Sequence, residues 1–339
     1  MKGPSKHGKK ANRLALVIAI LAVIGGSLFG VHVLEKRQDE RAAAALQDAD
    51  PLPNERVRVY YDDAWYELRG DLDTFLIMGL DKYEAAAGET DSYNNDQQAD
   101  FLLLMIVDKT NGSFSALHIN RDTMAEIQRL GLGGKKLNTF TGQLALSHTY
   151  GSGGKDSCRN TVKAVSRFLY DVPIDHYFSV TMDAVPILND LAGGVTVHIE
   201  DDFSAVDPSL VQGKDIRLAG QQALTFVRSR RYIDDSSNLS RMKRQRVFIT
   251  ALYEQLSRKL RENDGFGMTL ASSLADYTVS DLTTTELSNF AERFKDYSFD
   301  GVRSLAGEAV MGERFIEFYA DETDLQRTVI ELFFERAKD

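Results

Sequence analysis

Two unbroken apolar runs constrain this chain more than anything else in it: Phe75 to Leu80 within DTFLIMGLD, and Phe101 to Val107 within ADFLLLMIVD. A strand with one wet face alternates polar and apolar residues. These runs do not, so they predict strands covered on both faces by other layers. Asn111-Gly112 is a tight-turn dipeptide, and SFSALHINRD beyond it predicts a third strand in a hairpin with the second. GKDSCRNTVKAVSRFLYDV then reads as a helix, HYFSVTM as a strand, DAVPILNDLAG as a helix closed by glycine, and GVTVHIE as a strand. Strands alternating with helices predict an α/β fold, a three-layer α/β/α sandwich around a central mixed sheet. GQQALTFVRSR and LSRMKRQRVFITALYEQLSRKL predict two more helices joined by a basic loop. From about Asn263 the tail offers a helical pattern at TTTELSNFAERF and a last helix at ETDLQRTVIELFFERAK.

Leu14 to Leu34 holds no charged residue. At about 1.5 Å per residue it reaches roughly 30 Å, the thickness of a hydrocarbon core, and predicts a single transmembrane signal anchor. A cleavable signal peptide has a shorter apolar region and a small-x-small site, which is missing before EKRQDER. Lys2, Lys6, Lys9, Lys10 and Arg13 mark residues 1–13 as a basic cytoplasmic tail. Residues 35–69 then form a juxtamembrane stalk: ERAAAALQDA is helical, PLPNE breaks it, and YYDDAWYELRG is an amphipathic entry to the body. Residues 70–339 are the extracytoplasmic domain, held at the cell membrane. Cys158, a single cysteine outside the cytoplasm, forms no internal disulfide and reads as a packed thiol.

The chain carries a formal net charge of -10, and its basic amino end makes the remainder more acidic still. Such a body lacks the broad basic footprint of a nucleic-acid binder. Against that background VRSRRYIDDSSNLSRMKRQR, residues 227–246, stands out as a local anion site with Arg228, Arg230, Arg231, Arg241 and Arg244. A solvated helix face usually carries acids at the three- and four-residue spacings, and this one does not. The predicted strand ends contribute Asp81, Asp100, Arg121 and Asp122. Taken singly, these acids read as turn caps and Arg121-Asp122 as a structural ion pair. Together they place carboxylates and an arginine where ligands of α/β sheets sit. Two carboxylates suit a divalent cation shared with phosphate oxygens, and guanidinium forks match phosphates, so the combination points to phosphoryl chemistry.

The order GLD, a second Asp at the next strand, NRDT, KLN at Lys136 to Asn138, VPIDHYFSV, LNDLAGGVTV, GQQALTFVRSR and SRMKRQR resembles the LytR-CpsA-Psr family from about Asp73 to Leu260. The resemblance implies a membrane-anchored phosphotransferase of the Gram-positive envelope. Its substrates would be a glycopolymer on undecaprenyl pyrophosphate and peptidoglycan, joined through a phosphodiester. By position in the motifs, Asp81 and Asp100 match metal-binding acids for Mg2+ or Mn2+, and Arg121 matches the pyrophosphate-binding arginine. Arg228, Arg230 and Arg241 match the later arginines around the head group, with Arg231 and Arg244 beside them as substrate contacts. Asp122 and Asp235 are the candidate bases. Two departures stand out: Gln98, counted among the substrate contacts, lies where the family often has an arginine, and Asn238 where it often has aspartate. They keep open a polyprenyl-pyrophosphate sensor without catalysis and a lipid pyrophosphate hydrolase. Phe75, Leu103 and Met105 are candidates either to line a lipid tunnel or to fill an ordinary core.

Overall fold

The computed structural model describes residues 57–81 and 97–337. The expected membrane segment at 14–34 and most of the expected stalk lie outside the described residues. Within them, no helix is long and apolar enough to cross a membrane.

The last part of the expected stalk is folded into the body. Strands β1 (Arg58–Tyr61) and β2 (Ala64–Leu68) form a hairpin whose two-residue turn, Asp62-Asp63, takes positive φ at both positions. Aspartate tolerates that conformation, and it matches the twist of the paired strands. On its other edge β2 pairs with the carboxyl-terminal strand β15 (Phe334–Arg336), so the body begins at Arg58 rather than at Gly70.

The two apolar runs are β3 (Leu72–Leu80) and β4 (Ala99–Asp108), followed by β5 (Ser113–Ile119). β4 lies between the other two and pairs antiparallel with each. The β4–β5 turn puts Gly112 at φ +63, with Asp108 Oδ1 accepting from the amides of Thr110 and Asn111. After the hairpin β6 (Met124–Leu130) and β7 (Lys136–Gln143) come helices α1 (Leu146–Thr149) and α2 (Gly154–Phe168). Strand β8 (His176–Thr181) then joins β3 in parallel. Helix α3 (Ala184–Leu191), the ribbon β9 (Thr196–His198) and β10 (Asp215–Arg217), and helices α4 (Gln221–Arg228) and α5 (Asn238–Glu262) follow. GVTVHIE therefore contributes only a short strand, outside the main sheet.

The tail folds as α6 (Phe266–Leu274), β11 (Thr278–Ser280), α7 (Thr284–Phe294), β12 (Ser298–Ser304), the hairpin β13 (Gly307–Met311) and β14 (Ile316–Ala320), and α8 (Glu322–Phe333). The expected helices are present. The four strands between them are short and irregular in pattern, so they do not announce themselves by periodicity. Two of them extend the central sheet, whose order is β11-β8-β3-β4-β5-β12, a mixed six-stranded sheet.

One sheet face is densely buried: Leu76, Met78, Leu102, Leu104 and Leu117 are inaccessible to solvent and pack with Cys158 and Val165 of α2 and Val329 and Phe333 of α8. Each such side chain stabilises the fold by about 1.5–3 kcal/mol. The opposite face is covered by α5 and α7. There Phe75 meets Phe290 edge-to-face at 4.8 Å and Phe114 meets Tyr253 at 4.9 Å. The three layers expected from the apolar runs are thus in place.

Candidate functional site

Strand register gathers the site. Gly79 pairs with Phe101 and Leu80 with Ala99, so Asp100 is the extra residue of a β-bulge. A bulge re-aims the side chain it carries. Asp81 follows β3 directly, and β5 ends opposite Leu102, which brings Asn120, Arg121 and Asp122 to the same end of the sheet. Asn120 sets the turn there, because its Oδ1 accepts from the Asp122 amide at 3.0 Å.

Arg121 is the hub. Its guanidinium forms an ion pair with Asp100, donates to Gln98 Oε1 at 2.8 Å, and donates through Nε to Asp122 Oδ1 at 3.2 Å. Gln98, expected to touch substrate, instead accepts a bond that orients Arg121.

Ser237 caps α5 by accepting from the Ser240 amide, which fixes the helix start where Asn238 meets the strand end. Asn238 Nδ2 donates to Asn120 Oδ1 at 2.7 Å, and Asn238 Oδ1 accepts from Arg241 Nη2 at 2.6 Å and Nε at 3.1 Å. Burial pushes the Arg241 guanidinium down to about 10, helped by the charges of Arg121 and Arg230. It remains a cation at neutral pH, and one crowded by other cations, which a polyanion would relieve.

The remaining basic residues divide. Arg228, at the end of α4, pairs with Asp81 at 2.9 Å, both side chains being about half exposed (50% and 54%). Pairs this exposed contribute about 0–1 kcal/mol, weak enough to exchange for a ligand. Arg230 and Arg231 lie exposed on the loop between α4 and α5. Arg244, in contrast, is turned into the scaffold. It bonds Asp201 Oδ2 at 2.6 Å, Ser240 Oγ at 3.0 Å, and the carbonyls of Phe226 and Ser229, with its side chain only 6% exposed. The expectation of a substrate contact at Arg244 is therefore corrected: its donors are consumed holding α4 to α5.

The two candidate bases also differ. Asp122 is buried, and its bonds from Arg121 and from Gln143 Nε2 (3.0 Å) both fall on Oδ1. Asp235 is exposed on the loop, and hydrogen bonds from Ser237 hold its carboxyl below the usual range, which makes it a poor base. Gln143 was not legible as a site residue, and neither was Asn120. Gln143 also donates to the Ile316 carbonyl at 2.8 Å, and the Phe318 amide donates to the Asp122 carbonyl at 2.9 Å, so the β13–β14 hairpin is fastened to this loop.

Asp81 and Asp100 offer hard carboxylate oxygens at one strand end. Among the described residues no group of three or more His, Cys, Asp or Glu is placed to hold a metal by itself. That donor set fits an ion of the magnesium type, which takes one or two carboxylates and completes its shell with water and substrate phosphates.

Arginines and carboxylates gathered at one end of an α/β sandwich sheet form an arrangement suited to phosphate groups. The chain belongs to the LytR-CpsA-Psr family, whose profile matches residues 39–331. It is similar to the polyisoprenyl-teichoic acid–peptidoglycan teichoic acid transferase TagU of Halalkalibacterium halodurans, 32% identical over 71% of this chain and 70% of that protein. The Bacillus cereus protein of the same name is 28% identical over 70% of this chain and 68% of its own length. The crystal structure of B. subtilis TagV superposes with a TM-score of 0.56 at 22% identity, covering 78% of this chain and 98% of that one, a likeness of fold.

Proposed function

We propose that this protein transfers a glycopolymer phosphate from a polyprenyl-diphosphate carrier to peptidoglycan, releasing the polyprenyl phosphate, at the outer face of a membrane to which residues 14–34 anchor it. The TagU relatives are named as polyisoprenyl-teichoic acid–peptidoglycan teichoic acid transferases, which supports the reading. The observation that carries the reading is a contrast between the two sheet faces. Ile77, Phe101, Met105, Phe178 and Val180 share the face toward α5 and are only half-buried, whereas their neighbours on the other face are sealed. An incompletely filled apolar layer running up to a cluster of arginines suits a molecule with a hydrocarbon tail and a diphosphate head. Of the three tunnel candidates, Met105 belongs to this strip, while Phe75 and Leu103 are core.

In this reading Arg121 and Arg241 bind the diphosphate, and Arg228 leaves Asp81 to join them. An acceptor hydroxyl attacks the phosphorus that carries the polymer. A new P–O bond forms, the bond to the lipid phosphate breaks, and the hydroxyl proton passes to Asp122 Oδ2. Negative charge grows on the departing phosphate, where buried guanidinium groups are most effective. A divalent ion held by Asp81 and Asp100 would supply further charge neutralisation. The test is reconstitution of the full chain in detergent with a lipid-linked glycopolymer, magnesium and peptidoglycan fragments. A phosphodiester-linked product detected by mass supports the reading; release of lipid phosphate with no joined product overturns it.

A further inference from the structure

His118 takes no part in the hydrogen bonds and ion pairs that join Arg121, Asn238 and Arg241. It lies on β5 two residues before Asn120, on the same sheet face, in register with Leu103. The side chain is 1% exposed, meets Phe101 in a tilted ring contact at a centroid distance of 4.9 Å, and leaves Nδ1 without a hydrogen-bond partner. An unpartnered buried polar atom costs stability that an apolar side chain of the same shape would not. Such an atom beside a binding face calls for a ligand to satisfy it.

Its surroundings say what kind of ligand. Two residues along a strand span about 7 Å, so His118 sits one step below the Asn120–Asn238–Arg241 network and one step above the wholly apolar strip. The charges of Arg241 and Arg246 reach it from α5, and together with burial they hold the imidazole neutral, down to about 3. Phe101, the ring it touches, is itself half-buried in the incompletely filled layer.

We propose that His118 is a substrate-contacting residue whose neutral imidazole donates one hydrogen bond to the phosphate oxygen nearest the hydrocarbon chain of a polyprenyl-diphosphate substrate, marking the junction of head and tail. The proposal rests on the function argued above and adds a group that reads where the charge ends.

The test measures farnesyl diphosphate binding to the full chain in detergent, for wild type, His118→Phe and His118→Asn, with unfolding midpoints recorded without ligand. His118→Phe is expected to weaken binding about tenfold, the worth of one hydrogen bond to a charged group. Its ligand-free midpoint should equal or exceed that of wild type, because the apolar ring satisfies the site. His118→Asn, which keeps a donor near Nδ1, is expected to recover most of the affinity. In the wild-type chain, the imidazole nitrogen resonances of His118 should shift when farnesyl diphosphate is added, a readout that needs no variant to fold. Binding by wild type that His118→Phe leaves unchanged, or unmoved resonances at saturation, overturns the proposal while leaving the proposed function standing. No binding by wild type overturns both.

Discussion

Asn238 donates to Asn120 Oδ1 at 2.7 Å with one end of its amide and accepts two bonds from Arg241 with the other. Only an amide does both. A carboxylate has no N–H for Asn120, whose oxygen is already committed to the Asp122 amide. Asn238 thus goes with Asn120, and the pair ties the strand end to the first turn of α5.

Removing that tie should free a buried cation. Asn238→Ala is expected to lower stability by about 1–3 kcal/mol and to weaken diphosphate binding, since Arg241 loses its buried acceptor. Asn238→Asp retains the Arg241 partner and should bind better than the alanine variant while melting below wild type. Equal binding by all three would separate Asn238 from the site.

Gln143 should act through Asp122 rather than on substrate. Gln143→Leu removes the bonds to Asp122 Oδ1 and to the Ile316 carbonyl. Turnover is expected to fall about tenfold, the scale of misplacing a proton-transfer group, with KM within about twofold. A drop in melting temperature with unchanged kcat would reduce Gln143 to a strut for the hairpin.

Arg244 and Arg121 should give opposite signatures although both belong to basic motifs. Arg244→Ala strands Asp201 and two backbone carbonyls and is expected to cost about 3 kcal/mol of stability, with KM of the folded fraction unchanged. Arg121→Ala is expected to lower kcat/KM by at least about a hundredfold. Thermal melts and initial rates on both variants decide it.

The sequence spacing of these arginines could not distinguish the two fates. Arg241 and Arg244 lie three apart on α5 and are both buried. Only the tertiary neighbours, Asn238 for one and Asp201 for the other, separate a ligand arginine from a scaffold arginine. The central strands were legible because burial on both faces erases alternation. The carboxylates at 81 and 100 were legible because they punctuate those strands. The bulge that turns Asp100 was not, since it is a matter of register between two strands. Gln143 reaches Asp122 from a hairpin that no periodicity foretold, and strands β11 to β14 form on edges and ribbons where little apolar area is needed.

Acid should destabilise the fold through two buried histidines. Burial holds His148, whose Nδ1 donates to the Gln97 carbonyl at 3.0 Å, down to about 4, and His118 down to about 3. The unfolded chain takes up protons near pH 6.5 that the folded chain refuses, so stability is full above 6.5 and falls as pH drops toward 4. At pH 5 each histidine accounts for a loss of about 2 kcal/mol. Unfolding midpoints between pH 7 and 5 should fall for wild type and fall less for His118→Phe; parallel profiles would contradict the assignment.

The central claim is that a sugar hydroxyl, and not water, receives the phosphoryl group. The most direct measurement runs the reconstituted reaction in water enriched in oxygen-18 and weighs the polymer phosphate by mass spectrometry. A phosphodiester to peptidoglycan that carries no heavy oxygen is the expected product. A free polymer phosphate with one heavy oxygen would contradict it and make the protein a lipid pyrophosphate hydrolase.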